Sequence, residues 1–330
     1  MRAPNWVGDL VMATPTIEAA IASDRFGDVQ IVLRSHLAGV LADGPAEAHL
    51  VPIASDEEEI ATYRRIDPDA VLLLSNSLGS AWRAWRAGVP VRAGTVASGR
   101  RLLLTHAANP PTRAGRRLPT PTAHLQREAA SLLGILVPDL HPRLRVREEI
   151  RVAQRRMLER LGLARDAGHV LCCPGAAFGA AKLWPVERFA AVLDGLHRSR
   201  GWRAVVTGGP GEEDLVEAVA SACEHPAISL AKEARDLEGL KALVAEARIL
   251  LVGDSGPRWF AAAFDVPCVS VMGPNFPEVT ATSLERAAVV RVEGLECSPC
   301  LRKICPLGHH RCMRDLAPSR VLDAAAELLR

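Results

Sequence analysis

Three glycine-rich segments in the second half of the chain carry residue types that a phosphorylated nucleotide needs. The first, PGAAFGAAKLWP over residues 174–185, has two glycines that let backbone N–H groups approach a ligand, and it contains Lys182. Lys182 is one of only four lysines among 40 basic residues. A compact ammonium beside a helix start, which Pro185 favours, suits a diphosphate. An ordinary strand-to-helix loop with a surface lysine is the alternative. The second segment, TGGPGEE over residues 207–213, puts two acids in the first turn of the next helix. There they favour the helix dipole, or Glu212 accepts the paired hydroxyls of a ribose. The third, GDSGPR over residues 253–258, places Asp254 or Ser255 to cap a helix. A helix start also offers free N–H groups to phosphate, although capping alone would explain the residues.

Two further clusters invite chemistry. Cys297, Cys300, Cys305 and Cys312 are half of the chain's eight cysteines. Four close thiols in a reducing compartment suggest a structural zinc or iron site, with His309 and His310 as substitute ligands. The spacing is not that of a standard zinc finger, and thiols pinning an irregular loop are the alternative. Cys172, Cys173, Cys223 and Cys268 read as small core residues. Between residues 70 and 127 there is no Asp or Glu against nine Arg, among them Arg100, Arg101, Arg113, Arg116 and Arg117. That is a local positive field hidden by a net charge of only +2, or else a solvated arginine-rich surface.

These loops need rigid elements behind them. Apolar runs at 29–33, 70–74, 169–173, 204–207, 249–252 and 268–272 alternate with amphipathic stretches at 14–23, 186–198, 212–222, 237–247 and 256–264. Apolar strands separated by helices of that length mean βαβ units and a parallel sheet covered on both faces. Two such series appear, with the charged stretch 145–161 as a candidate connector. The last helix begins near Pro318, with Ser319 as its expected N-cap. We therefore expect an α/β protein of two Rossmann-like domains, 1–150 and 151–330, facing each other across a cleft. One element is missing. The segment 4–10 resembles a strand-to-helix turn, yet no apolar strand precedes it, so either the true start lies upstream or the domain lacks its central first strand.

Length and composition set bounds. A chain of 330 residues favours two domains, and 48% hydrophobic residues exclude disorder. No apolar run reaches the roughly 18 residues of a membrane helix, and no signal-peptide core opens the chain, so a cytoplasmic location is expected. The single tyrosine and the absence of a recognition motif argue against nucleic acid. A G-x-G-x-x-G dehydrogenase fingerprint is not found.

Together the motifs carry a resemblance. PNWVGDLVMATP (4–15), PGAAFGAAKLWP, TGGPGEE, GDSGPR, VMGP (271–274), TAT (280–282) and the cysteine-rich tail resemble glycosyltransferase family 9, the lipopolysaccharide heptosyltransferases, and within it the heptosyltransferase II subgroup. The resemblance implies GT-B architecture and inverting transfer of heptose from ADP-heptose to a heptosyl-Kdo-lipid A acceptor, with no metal or other cofactor needed for the chemistry. It places the general base at Asp9. It gives the diphosphate to Lys182, Ser255 and Gly256, the ribose to Glu212, and loop orientation or a sugar hydroxyl to Asp254. The anionic lipid-linked acceptor, or headgroups at the inner membrane surface, would meet the basic stretch. The family's usual histidine in the GDSGPR helix is Trp259 here. With the short N-terminus, that substitution motivates two alternatives: a relative using another sugar or acceptor, or a nucleotide-sugar-binding protein without turnover.

Overall fold

The computed structural model describes residues 1–165, 167–233 and 236–330. The chain divides into two compact units. One is Met1–Arg145 with Glu278–Thr282, the other Val146–Pro277 with Ser283–Arg330.

The first unit is built on parallel strands β1 (Ile31–Arg34), β2 (Leu50–Ile53), β3 (Ala70–Leu73), β4 (Val91–Thr95) and β5 (His106–Ala108). The place of the missing first strand is filled. Residues 1–3 lie between β1 and β3, where Arg2 bridges in parallel to both Val32 and Leu73. Arg2 N donates to Leu72 O at 2.8 Å and Leu74 N to Arg2 O at 3.0 Å. On the other side Ala3 N donates to Val32 O at 3.0 Å and Val32 N to Met1 O at 2.9 Å. Three residues thus pair with both neighbours' edges, which corrects the reading of a domain without its central first strand. The strand was invisible because it is short and centred on an arginine. The spatial order is therefore β2, β1, residues 1–3, β3, β4, β5.

Tyr63, Ala81 and Ala84 pack with Val32, Ile53, Val71 and Leu73 to form this unit's core. The helix Asp56–Ile66 is strongly specified. The Ser55 side chain caps Glu58 N at 3.1 Å, acids fill the first turn, and Arg64 and Arg65 end it. Further along, β6 (Thr112–Arg113) and β7 (Arg116–Arg117) form an antiparallel hairpin. Ala114 and Gly115 both take positive φ in its turn.

The second unit holds β8 (His169–Cys173), β9 (Arg203–Val206), β10 (Ile228–Ser229), β11 (Ile249–Gly253), β12 (Cys268–Val271) and β13 (Ala287–Val290). They form a parallel six-stranded sheet in the order β10-β9-β8-β11-β12-β13. Numbered within the unit this is 3-2-1-4-5-6, the doubly wound order, and its switch point lies between β8 and β11. With residues 1–3 as its first strand, the first unit has the same order. Both β8 and β11 are buried along their whole length, as near-continuous apolar strands require.

Two helix expectations change. The charged helix, observed as Glu148–Arg160, packs on the helix Leu237–Glu246 and is not a free connector. Arg151 and Arg155 pair with Glu246 at 2.7 and 2.8 Å, and Arg147 pairs with Glu238 at 3.5 Å. The final helix, Pro318–Leu328, starts with Pro318 at its first position and Ala317 as N-cap, so Ser319 is not the cap. Among the described residues no helix is long and apolar enough to cross a membrane.

Candidate nucleotide site and the candidate base

The three glycine-rich segments leave the carboxyl ends of β8, β9 and β11, where ligands sit in open α/β sheets. The structure brings them together. Lys182 closes the short turn Ala180–Lys182. Its Nζ lies 2.6 Å from Asp254 Oδ2, donates to Asp254 O at 3.2 Å, and sits 4.7 Å from the centre of the Phe178 ring. Asp254 Oδ2 also accepts from Asn275 Nδ2 at 3.0 Å. A largely desolvated ion pair thus joins the loops after β8 and β11.

The loop after β9 joins them through Glu212. Its carboxylate turns back, and Oε2 accepts from Gly209 N at 2.7 Å. A methyl group placed on Gly175 would lie 2.0 Å from that same oxygen, so a side chain there would push the Glu212 carboxylate out of this position. Glu212 is itself the N-cap residue of the helix Glu213–Ala222. Its carboxylate therefore faces the loops after β8 and β9 instead of standing in the first turn.

The helix after β11, Pro257–Ala263, has Gly256 as its N-cap and no side-chain cap bond. This corrects the capping expectation for Asp254 and Ser255: Asp254 is spent on Lys182 and Asn275. Ser255 N instead donates to Gly253 O at 2.8 Å, tightening the loop. Trp259 is buried, with the Arg258 guanidinium 4.9 Å from its ring. Burial lowers the Arg258 pKa, against the opposing influence of Cys268 and Asp254.

The turn that carries Lys182 is held from behind by the cysteine-rich segment. Ala181 N donates to Lys303 O at 2.9 Å, and His310 Nε2 bonds Ala181 O at 2.7 Å. Gly179, at φ +150°, passes so close that a Cβ there would meet Lys303 O at 2.6 Å. On the far side Trp184 is buried edge-on to Phe189 at 5.0 Å and donates to Leu316 O at 3.3 Å. Asn275 and Lys303 were not identified as site residues in the sequence, and His310 was read only as a substitute metal ligand. Asn275 does follow directly on the VMGP run; the other two approach from more than a hundred positions away and leave no local signal.

The four clustered cysteines are free and partly buried. Among the described residues no group of three or more His, Cys, Asp or Glu side chains is arranged to hold a metal. Cys297 Sγ lies 4.0 Å from His309 Nε2. Backbone N–H groups, that of His310 first, lower the Cys305 pKa. Burial, and then the three other thiols, push Cys312 up to about 11. As placed, these residues do not fit a closed tetrahedral site, and no chemistry is routed through a metal there.

In the first unit Asp9 lies within a short helix, Val7–Met12, and not in a loop. Gln126 Nε2 donates to Asp9 O at 3.1 Å, fixing that turn. The approach to it is anchored by Arg2, whose Nη2 donates to Asn5 Oδ1 at 2.8 Å.

The basic stretch divides. Arg101, Arg113, Arg116 and Arg117 are exposed. Arg100 is fully buried, which corrects its placement on a basic surface. Its guanidinium donates to Thr95 O at 2.8 Å, to Ser75 O, to Ser77 O and Ser80 Oγ at 3.4 Å, and to Asn76 Oδ1 at 3.3 Å. Burial pushes its pKa down to about 10. Arg83 is also turned inward, onto Asp56 and Glu59.

Two doubly wound sheets, one gathering a cation, carboxylates and glycine-lined backbone near its switch point, define a two-unit α/β protein. The sequence model of glycosyltransferase family 9 (heptosyltransferase) matches residues 62–311, and the chain belongs to this family of glycosyltransferases. It is 33% identical over 162 residues to lipooligosaccharide heptosyltransferase 2 of Campylobacter jejuni, a match spanning 48% of this chain and 50% of that protein. The chain thus covers about half the length of that relative. Lipopolysaccharide heptosyltransferase 2 of Salmonella typhimurium is 27% identical over 351 residues, 99% of this chain and 97% of the relative. The fold is GT-B, shared with the structure of E. coli ADP-heptose LPS heptosyltransferase II at a TM-score of 0.76 and 24% identity, over 99% of this chain and 97% of that one.

Proposed function

We propose that this chain transfers heptose from ADP-heptose to a heptosyl-Kdo-lipid A acceptor of the lipopolysaccharide inner core, with inversion at the anomeric carbon. The observation that carries this reading is the pairing of Lys182 with Asp254 at the switch point of the second sheet, with Glu212 turned in beside them against Gly175. The names of the Campylobacter, Salmonella and E. coli relatives support the choice of heptose and of a lipopolysaccharide acceptor.

In this reading the ADP diphosphate draws the Lys182 ammonium from Asp254 into a shared position. The cation then meets the negative charge that grows on the leaving oxygen. In this reading the Ser255 hydroxyl and the helix start at Gly256 meet the same diphosphate. Glu212 accepts the ribose hydroxyls. The acceptor oxygen forms a bond to the anomeric carbon as the bond to the phosphate oxygen breaks. ADP keeps that electron pair, and the Asp9 carboxylate takes the hydroxyl proton. The exposed arginines Arg101, Arg113, Arg116 and Arg117 offer bidentate partners to acceptor carboxylates and phosphates. In this reading the donor and the reaction are cytoplasmic.

The test measures ADP release from ADP-heptose with a heptosyl-Kdo acceptor, alongside ADP binding by calorimetry. Asp9→Ala should lower kcat by about 10²–10⁴-fold and leave ADP affinity unchanged. Lys182→Met should weaken ADP by roughly 10–100-fold, the worth of a charge-assisted contact. ADP binding without turnover on this acceptor would redirect the search to another acceptor or sugar. No ADP binding at all would remove the proposal.

A further inference from the structure

The helix Leu78–Arg86 is amphipathic in the wrong sense for a surface helix. Its inward side is small and polar: Ser80, Ala81, Ala84 and the ion-paired Arg83 are its buried residues. Its outward side carries the large apolar groups. Leu78, Trp82 and Trp85 are 47%, 45% and 50% exposed. At about 100° per residue these three and the exposed Arg86 fall within an arc of roughly 100°. The turn Arg100–Leu103 packs beside this helix and adds Leu102, 94% exposed, together with the exposed Arg101. Core burial does not explain two tryptophans and two leucines turned to solvent, and contiguous apolar surface of this kind marks an interaction site.

The surrounding charge selects the partner. The arc and turn contribute Arg86 and Arg101 and no acid; the adjoining helix Asp56–Ile66 has its acids at its start and Arg64 and Arg65 at the end that lies against Arg86. Tryptophan beside arginine is the chemistry of a water–hydrocarbon boundary. The indole ring settles at headgroup depth while the guanidinium meets anionic lipid.

We propose that the outer face of Leu78–Arg86, with Leu102, docks on an anionic lipid bilayer surface. This is independent of the donor-site reading, because it predicts binding to lipid without any turnover. The experiment is vesicle co-sedimentation of the full chain, with tryptophan emission as a second readout. Vesicles of phosphatidylcholine with an equal share of phosphatidylglycerol are compared with phosphatidylcholine alone.

The expected result is binding at least about tenfold stronger to the anionic vesicles, weakened by high salt, with a blue shift of emission. Trp82→Ser/Trp85→Ser should lose at least about tenfold of that binding. Its thermal midpoint and its rate on a water-soluble, acyl-free acceptor should be unchanged. Arg86→Ala should lose less, and mainly at low salt. No binding to anionic vesicles would overturn the proposal, as would binding that the double tryptophan variant retains. A self-association in light scattering that the double variant abolishes, without lipid binding, would assign the face to a second copy of the chain instead.

Discussion

Replacing Glu59 by Gln should destabilise the first unit and leave the second unmoved. The Glu59 carboxylate is fully buried, with Oε1 3.1 Å from Arg2 Nε and Oε2 3.0 Å from Arg83 Nε. Tyr63 OH donates to Oε1 at 3.3 Å. Arg83 keeps a second partner, Asp56 at 2.9 Å, but the Arg2 side chain is wholly buried and loses its only carboxylate among the described contacts. Gln would also turn an N–H₂ toward one of the two guanidinium groups.

Removing one member of a buried pair costs about 3–5 kcal/mol, because the remaining charge stays dry. With Arg83 compensated, we expect about 3 kcal/mol. At a slope of roughly 2 kcal/mol/M the first unit's urea midpoint should fall by about 1.5 M. The second unit's transition should not move, so a two-step curve monitored by probes in each unit is the assay. Since Arg2 also holds Asn5 ahead of Asp9, turnover should drop more than ADP affinity. Arg2→Met/Glu59→Leu, which removes both charges, should recover most of the stability. A Glu59→Gln cost below about 1 kcal/mol, or an equal fall in both units, would refute the reasoning.

Two other outcomes follow from buried groups. Burial pushes the His169 pKa down to about 4 from 6.5, so the folded chain refuses a proton that the unfolded chain accepts. Its contribution is complete above pH 6.5 and is lost as the pH falls toward 4, by about 3 kcal/mol in all. His169→Phe should flatten that part of the stability–pH curve, and identical slopes in the two proteins would exclude this origin. Gly179→Ala should push the turn off Lys303 O and displace Lys182, weakening ADP by about tenfold or more beside a stability cost of about 1–3 kcal/mol from the strained φ. Calorimetry with ADP checks this, and unaltered affinity would mean that the turn tolerates the shift.

The central strands were legible because β8, β11 and β12 are buried on both faces and read as unbroken apolar runs. Others were not. β2 contains Pro52, β5 is His-Ala-Ala, and β10 has two residues, so their place comes from neighbours and not from pattern. The donor-side motifs were legible because glycines and a rare lysine stand out locally. That Glu212 would fold back against Gly175, or that His310 would brace the Lys182 turn, depends on contacts between distant segments. Charge counting failed at Arg100 and Arg83, because a sequence shows a guanidinium but not the acceptors that let it go inside.

The Arg100 clamp has an evolutionary corollary. Three of its acceptors are main-chain carbonyls, those of Ser75, Ser77 and Thr95. Any side chain at those positions supplies the same oxygen, so substitution there can drift without breaking the tie between the loops after β3 and β4. Position 100 has no such latitude, since a lysine offers neither the reach nor the forked geometry to hold several carbonyls at once. Homologues should therefore keep this arginine, while Ser77 and Thr95 are held by their own side-chain bonds, to Ser80 N and Leu125 O, and not by the clamp.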